Sequence, residues 1–119
     1  MSGLNGRRIL VVEDEALIAM LVEDALLEVG AIVLGPAATV EEALELFEAE
    51  RPEAAVLDIN LAGQASTPVA DTLSDHNIPF VVATGYGAAG LPERHRDVTV
   101  LAKPYDPRDL ILALERVCS

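Results

Sequence analysis

Short apolar runs alternate with longer segments of helical composition along the whole chain. Each run has four or five residues, as is typical of a strand buried on both faces of a sheet. The runs predict five strands, at Ile9–Val12, Ala31–Leu34, Ala54–Leu57, Phe80–Ala83 and Val98–Ala102. Strands and helices that alternate in this way predict right-handed crossovers and one parallel sheet covered by helices on both faces.

The segments between the runs carry helix signals. Glu15–Val29 is rich in strong helix formers and nearly all apolar, so we expect it to be the most buried helix, ending at Gly30. Three later helices have N-terminal signals: a capping box at Thr39 and Glu42, a cap followed by proline at Thr67-Pro68, and Asp106-Pro107 before the last helix.

Two connections are predicted to be irregular. Residues Ile59–Ala65 should form a loop after the third strand. The segment Gly85–Asp97 contains Gly87, Gly90 and Pro92, which disfavour a regular helix. We therefore expect the fourth helix to be irregular, and its segment to be the mobile, signalling part of the surface.

The expected fold is a flavodoxin-like (βα)5 doubly wound sheet with strand order 2-1-3-4-5. The length of 119 residues suggests a single domain over residues 1–119. In this order strands one and three lie side by side at the topological switch point. Open parallel sheets bind their ligands there, in the crevice at the carboxyl ends of the strands.

Charge and composition narrow the classes of partner. The chain has 20 acidic and 8 basic residues and a net charge of −12, which disfavours nucleic acids and anionic membranes because their phosphates would be repelled. No apolar stretch is long enough to span a membrane, and the N-terminus lacks a signal-peptide pattern. The one cysteine, Cys118, can form neither an intramolecular disulfide nor a zinc site. We therefore expect a cytoplasmic protein.

Carboxylates stand at the ends of the two strands that should be neighbours. Glu13 and Asp14 follow the first strand, and Asp58 ends the third. Like charges held in one pocket repel, and a divalent cation with oxygen ligands relieves the repulsion. The pattern predicts a Mg²⁺ site, although acids after the first strand could also simply favour the N-terminus of the first helix.

Two further strand ends carry groups suited to phosphoryl transfer. Thr84 ends the fourth strand and can donate a hydrogen bond to a phosphoryl oxygen, and Lys103 ends the fifth and can neutralise one. Asp58 stands alone on the central strand and is the candidate nucleophile, which would give an acyl phosphate. The two histidines, His76 and His95, are expected to be solvated.

This ordered set resembles that of the receiver domains of two-component response regulators, over essentially the whole chain. The set comprises Glu13-Asp14, Asp58, Thr84 and Lys103-Pro104. The resemblance implies that Asp58 accepts a phosphoryl group from a phosphohistidine on a sensor histidine kinase or a phosphotransfer protein, and that the domain then signals to a downstream protein. It also implies that Mg²⁺ is bound by Asp14 and Asp58, by Glu13 largely through water, and by the backbone carbonyl of Asn60. The Lys103-Pro104 peptide is expected to be cis.

A second resemblance suggests where a conformational switch lies. Typical receivers carry an aromatic switch residue three positions before the lysine, where this chain has Val100. The stretch Val82–Tyr86 resembles a subgroup marked by Phe-Ala-Thr-Gly and an aromatic residue, with valine in place of the phenylalanine. We therefore expect Tyr86 to take over part of the switch role, with Pro104 and Tyr105 also on the output side.

Two other functions stay open from the residues alone. A Mg²⁺-dependent phosphatase could use Asp58 as its nucleophile, but such enzymes usually have an acid two residues later, where this chain has Asn60. A binding module that is never phosphorylated is the third possibility, and the intact set of site residues argues against it. A stand-alone receiver that is not an enzyme is therefore the favoured interpretation.

Overall fold

A parallel sheet with helices on both faces makes up the part of the chain that the structure describes. The computed structural model describes residues 3–61, 63–85, 92–95 and 97–118. The strands are β1 (Arg8–Val12), β2 (Ile32–Ala37), β3 (Ala54–Asp58), β4 (Asn60–Leu61), β5 (Gln64–Ala65), β6 (Phe80–Thr84) and β7 (Thr99–Ala102). The helices are α1 (Ala16–Glu28), α2 (Val40–Glu50), α3 (Thr67–Asp75) and α4 (Pro107–Cys118).

The five longer strands pair in parallel in the order β2-β1-β3-β6-β7. This is the predicted 2-1-3-4-5 order when the two-residue strands β4 and β5 are left out of the count. Val12 pairs with Leu57, and Asp58 pairs with Ala83, so these strands end at the same edge of the sheet. The predicted flavodoxin-like fold is confirmed.

Alternate residues of the strands face two apolar layers, one on each side of the sheet. Leu10 of β1 belongs to the layer that α2 and α3 cover, together with Phe47. Its neighbour Val11 belongs to the opposite layer, together with Leu26 of α1 and Leu114 of α4. Burial on both faces explains why the strands read as continuous apolar runs.

The helix α1 is less buried than its composition predicts. Its buried residues are Ala19, Val22 and Leu26. Leu17, Met20, Leu21 and Leu27 are 67%, 50%, 49% and 55% exposed. The prediction that this is the most buried helix is wrong, because its apolar residues surround the helix whereas β1, β2 and α4 cover only part of it. None of the helices in the described ranges combines the length and the apolar character that a membrane span requires.

The strand β2 continues past its predicted end at Leu34 and pairs with β1 as far as Ala37. A shift in the register between the two strands absorbs one extra residue, as in a β-bulge. Gly35 has φ +103°, and a Cβ there would lie 2.9 Å from the carbonyl oxygen of Val11, so the position requires glycine. The Glu13 N–H donates to the Ala37 carbonyl at 2.9 Å, which fixes the chain where it leaves β1.

Two local predictions after β3 are corrected. Residues 59–65, expected to form a loop, contain the antiparallel pair of β4 and β5. The helix α3 has Ser66 at its N-cap rather than Thr67, and the Val69 and Ala70 N–H groups donate to the Ser66 carbonyl. By contrast, Thr39 caps α2 as predicted, because its hydroxyl accepts the N–H of the residue three positions later at 3.1 Å.

His95 is buried rather than solvated. It ends a 3-10 helix, Glu93–His95, and is 6% exposed. Its Nε2 lies 2.7 Å from Oδ1 of Asp71 on α3, and its ring contacts that of Phe80 edge-on at 6.0 Å between centroids. The prediction of solvation is therefore wrong for this histidine, whereas His76 is exposed as expected.

Candidate functional site

A cleft of about 310 Å³ opens where β1, β3, β6 and β7 end. Asp14, Asp58, Thr84 and Lys103 line it, and Glu13 is buried beside them. Each of these residues stands at or directly after the carboxyl end of a different strand, apart from the adjacent acids after β1. The parallel order of the sheet thus brings together the five side chains that the sequence singled out.

Three carboxylates converge at this cleft. Glu13, Asp14 and Asp58 each offer one oxygen, and these oxygens all lie within 4.8 Å of one another. Glu13 and Asp58 are 5% and 6% exposed, whereas Asp14 is at the surface. Carboxylate oxygens at such a spacing are the donors that Mg²⁺ takes, with water completing its coordination. The residues present therefore fit a divalent cation.

Lys103 places a positive charge among these acids. Its Nζ lies 2.7 Å from Asp58 Oδ2 and 3.3 Å from Glu13 Oε1. Glu15, which is largely exposed, brings a further carboxylate oxygen to 3.9 Å from the same ammonium group. One ammonium group cannot neutralise all of these carboxylates.

Burial sets the protonation of Glu13. Burial raises the pKa of Glu13 to about 7, and Asp58 adds to the rise, although the Glu15 N–H at 3.1 Å and the charge of Lys103 oppose it. Burial would by itself lower the pKa of Lys103, but the hydrogen bond and charge of Asp58, followed by those of Glu13, raise that pKa above its usual value. In the absence of a cation, Glu13 is therefore partly protonated near neutral pH and Lys103 is charged.

Both oxygens of the Asp58 carboxylate are hydrogen-bonded. Oδ1 accepts the Asn60 backbone N–H at 3.2 Å, and Oδ2 accepts from Lys103 Nζ at 2.7 Å. The Ser66 hydroxyl donates to the backbone carbonyl of Asp58 at 2.6 Å. These contacts hold the carboxylate in one orientation at the edge of the cleft.

Thr84 and Lys103 are joined where β6 and β7 end. The Lys103 N–H donates to the Thr84 carbonyl at 2.9 Å. Thr84 is 1% exposed and lines the cleft next to Asp58. Because this hydrogen bond links the two backbones, a displacement of Thr84 would also displace Lys103.

The predicted output residues lie next to the cleft where the structure describes them. The Lys103-Pro104 peptide is cis, as predicted. Pro104 and Tyr105 line a separate cavity of about 120 Å³ beside α1. Burial, followed by the negative charge of Glu13, raises the pKa of Tyr105 to about 12, so its phenol is neutral at physiological pH. Tyr86, expected to share the switch role, lies outside the described residues, as do the other residues of 86–91 and residue 96.

The structure brings further residues to the site. Glu15 and Gly85 line the cleft, and Ser66 contacts Asp58 from the start of α3. The position of Glu15 directly after two site acids was an available signal. No signal in the sequence marked the contact of Ser66 with Asp58, because this contact depends on how the chain folds back after β3.

The chain matches the model of the response regulator receiver domain over residues 9–115. The chain belongs to this family. The receiver has the sheet order, the acidic cluster and the lysine that its sequence predicted for such a domain.

Curated relatives and a solved structure extend this likeness. The receiver is 36% identical over 117 residues to the transcriptional regulatory protein PdtaR of Mycobacterium tuberculosis (strain H37Rv), covering 95% of this chain and 57% of that protein. It is 36% identical over 106 residues to the phyllosphere-induced regulator PhyR of Methylorubrum extorquens, covering 86% of this chain and 40% of that protein. The solution structure of SdrG from Sphingomonas melonis Fr1 superposes with a TM-score of 0.82 at 42% identity, covering 100% of both chains. The receiver spans about half the length of the curated relatives it matches.

Proposed function

We propose that this receiver accepts a phosphoryl group on Asp58 in a Mg²⁺-dependent phosphorelay and signals through a change of conformation. The geometry around Asp58 is the observation that carries the proposal. A buried carboxylate is held by a backbone N–H and an ammonium group, beside two further acids, at the switch point of the sheet. Membership of the receiver family supports the same role.

Asp58 would act as the nucleophile. One of its carboxylate oxygens attacks the phosphorus of a phosphohistidine on a sensor histidine kinase or a phosphotransfer protein. An O–P bond forms as the N–P bond breaks, and the histidine nitrogen leaves with the electron pair and takes up a proton. Lys103, which contacts Asp58 Oδ2, would bind a phosphoryl oxygen, and the hydroxyl of Thr84, which lines the cleft, would donate to another.

The acidic cluster is proposed to hold the cation. Asp14 and Asp58 would bind Mg²⁺ directly, with Glu13 acting largely through water and Asn60 through its backbone carbonyl. When bound, the cation neutralises the crowded carboxylates and the oxygens of the incoming phosphoryl group. Because Glu13 has a pKa of about 7, its carboxyl would release a proton when the cation binds near neutral pH.

The proposed downstream partner and output residues rest on the family resemblance. A downstream protein would recognise the phosphorylated form, with Thr84 sensing the phosphoryl group and Tyr86, Pro104 and Tyr105 on the output side. A stand-alone domain, a cytoplasmic location, and the exclusion of nucleic acids and membranes as partners stay predictions.

A time course with acetyl phosphate and Mg²⁺ tests the proposed function. We expect a phosphorylated protein that survives long enough to be isolated, and no labelling when the metal is chelated. Steady release of phosphate without accumulation of labelled protein would support the phosphatase instead. Neither labelling nor release would support a binding module that is never phosphorylated.

A further inference from the structure

Ser66 is a buried hydroxyl that the proposed reaction does not yet use. It is 2% exposed and occupies the N-cap of α3. A serine at this position usually caps the helix by accepting an N–H of the first turn with its hydroxyl oxygen. No such side-chain bond is formed within α3, whose residues are all described, and the hydroxyl instead donates to the Asp58 carbonyl at 2.6 Å. The hydroxyl is therefore directed at the phosphoacceptor and not at its own helix.

Ser66 holds both peptide groups that follow Asp58. Its hydroxyl bonds the first group, whose N–H, on Ile59, donates to the Ala83 carbonyl of β6 at 3.1 Å. Its backbone N–H donates to the Ile59 carbonyl of the second group at 3.0 Å. The N–H of that second group belongs to Asn60 and donates to Asp58 Oδ1 at 3.2 Å. One residue thus fixes the two peptide planes that carry and orient the carboxylate.

The planarity of the peptide bond couples the position of each carbonyl to the direction of the N–H in the same group. A plane that is held at its carbonyl cannot turn its N–H freely, and hydrogen bonds linked through one peptide group strengthen each other. Loss of the hydroxyl would leave the Asp58–Ile59 peptide held only at its N–H, by the Ala83 carbonyl, so that its carbonyl end could turn. The carboxylate and the Asn60 N–H that holds it would then be displaced together. A displaced nucleophile slows the chemical step even when the donor still binds.

We propose that Ser66 is a positioning residue for phosphoryl transfer. Its hydroxyl fixes the peptide after Asp58, so that the carboxylate is already oriented toward the incoming phosphorus. This inference rests on the proposed function and deepens it. It concerns the maximal rate of phosphorylation and not the identity of the acceptor.

Three substitutions at Ser66 separate the hydroxyl from the rest of the side chain. Ser66→Ala and Ser66→Gly remove it, and glycine is well tolerated at an N-cap, so at least one hydroxyl-free variant should fold. Ser66→Thr keeps the hydroxyl. Ser74→Ala, at an exposed serine of the same helix, is the matched control. Circular dichroism and urea unfolding at the assay temperature show which variants are folded, and only folded variants are compared.

The rate of phosphorylation is then measured at saturating Mg²⁺ over a range of acetyl phosphate concentrations. We expect the maximal rate to fall about tenfold in Ser66→Ala and Ser66→Gly, the effect of one buried hydrogen bond, with the apparent KM for the donor nearly unchanged. Ser66→Thr and Ser74→Ala should stay near the wild-type rate. The NMR amide resonances of Ile59 and Asn60 should shift in the hydroxyl-free variants and return toward wild type in Ser66→Thr.

Two results would overturn the role of Ser66. One is a wild-type maximal rate in a folded hydroxyl-free variant. The other is a folded Ser66→Thr protein as slow as the variants that lack the hydroxyl. Failure of the proposed function looks different, because the wild-type protein would then carry no phosphoryl group on Asp58 at all.

Discussion

Glu13 shows how its surroundings change the chemistry of a single side chain. An ammonium group lies 3.3 Å away, which would ordinarily favour the ionised carboxyl. That ammonium group lies closer to Asp58, at 2.7 Å, and Glu13 itself is 5% exposed. Burial therefore outweighs the attraction, and the pKa of Glu13 rises to about 7.

The metal-free receiver should lose stability between about pH 4.5 and pH 7 because of Glu13. Its pKa rises from 4.5 to about 7 on folding, so its contribution to stability is fully present below pH 4.5 and is lost as the pH rises through 7. Glu13→Gln stays neutral and should remove this part of the decline, on the order of 1–3 kcal/mol. Urea unfolding of both proteins at about pH 5 and about pH 8, with metal chelated, measures the difference.

Glu45→Gln provides a matched control, because Glu45 is an exposed acid on α2. It should leave the pH dependence of the free energy of unfolding as it is in the wild type. A Glu13→Gln protein whose stability declines with pH as steeply as the wild type would show that Glu13 does not hold a proton in the folded state.

Between secondary-structure elements, a hydrogen-bonded cluster of three residues joins α3 to the 3-10 helix before β7. Arg94 donates to both oxygens of Asp71, at 2.8 and 2.9 Å, and His95 Nε2 lies 2.7 Å from one of them. Arg94 and then His95 lower the pKa of Asp71 to about 2. The contact is half exposed, since the side chains of Arg94 and Asp71 are 58% and 38% accessible while that of His95 is 5% accessible.

Removing the charge of Asp71 should weaken this connection modestly. Asp71→Asn is expected to lower the free energy of unfolding at neutral pH by about 1 kcal/mol, because solvent screens most of the attraction. The lowered pKa means that the contribution is present above pH 3.8 and is lost as the pH falls through about 2. Urea unfolding at neutral pH tests this against Asp75→Asn, an exposed acid on the same helix. Equal stability of both variants and the wild type would mean that the cluster does not join the elements.

At the scale of the whole molecule, the strand ends and the cleft could be predicted from the sequence. Both follow from burial of the strands on two faces and from their order in the sheet. Central strands such as β3 are apolar up to their last residue, here from Ala54 to Leu57, so their ends are visible as the first charged or polar residue. Strand order then brings those ends together, which is why the cleft was predictable.

Features that depend on long-range contact were not predictable. Nothing local marks the pairing of His95 with Asp71, which are 24 positions apart. Nor does the apolar composition of α1 reveal which of its sides the sheet leaves exposed, because its leucines lie all round the helix. The bulge at Gly35 depends on pairing with β1, and the contact of Ser66 depends on the fold of the chain after β3.

The excess of acids should make the metal-free receiver more stable in salt. With 20 acidic and 8 basic residues, the folded chain repels itself, and monovalent salt screens that repulsion. Raising NaCl from about 0.05 to about 0.5 M at neutral pH should increase Tm by about 4 °C, equivalent to about 1 kcal/mol. A Tm that falls with salt would mean that attractive pairs such as Lys103–Asp58 outweigh the general repulsion.

Mapping the phosphoryl group by borohydride reduction and peptide mass spectrometry tests the assignment of Asp58 most directly. After incubation with acetyl phosphate and Mg²⁺, the reduced product should be found at Asp58, and it should be absent without the metal and in Asp58→Asn. The amide of that variant is close to the carboxylate in shape but is no nucleophile. Modification at Asp14 or Glu13 instead, or undiminished phosphorylation of Asp58→Asn, would contradict Asp58 as the acceptor.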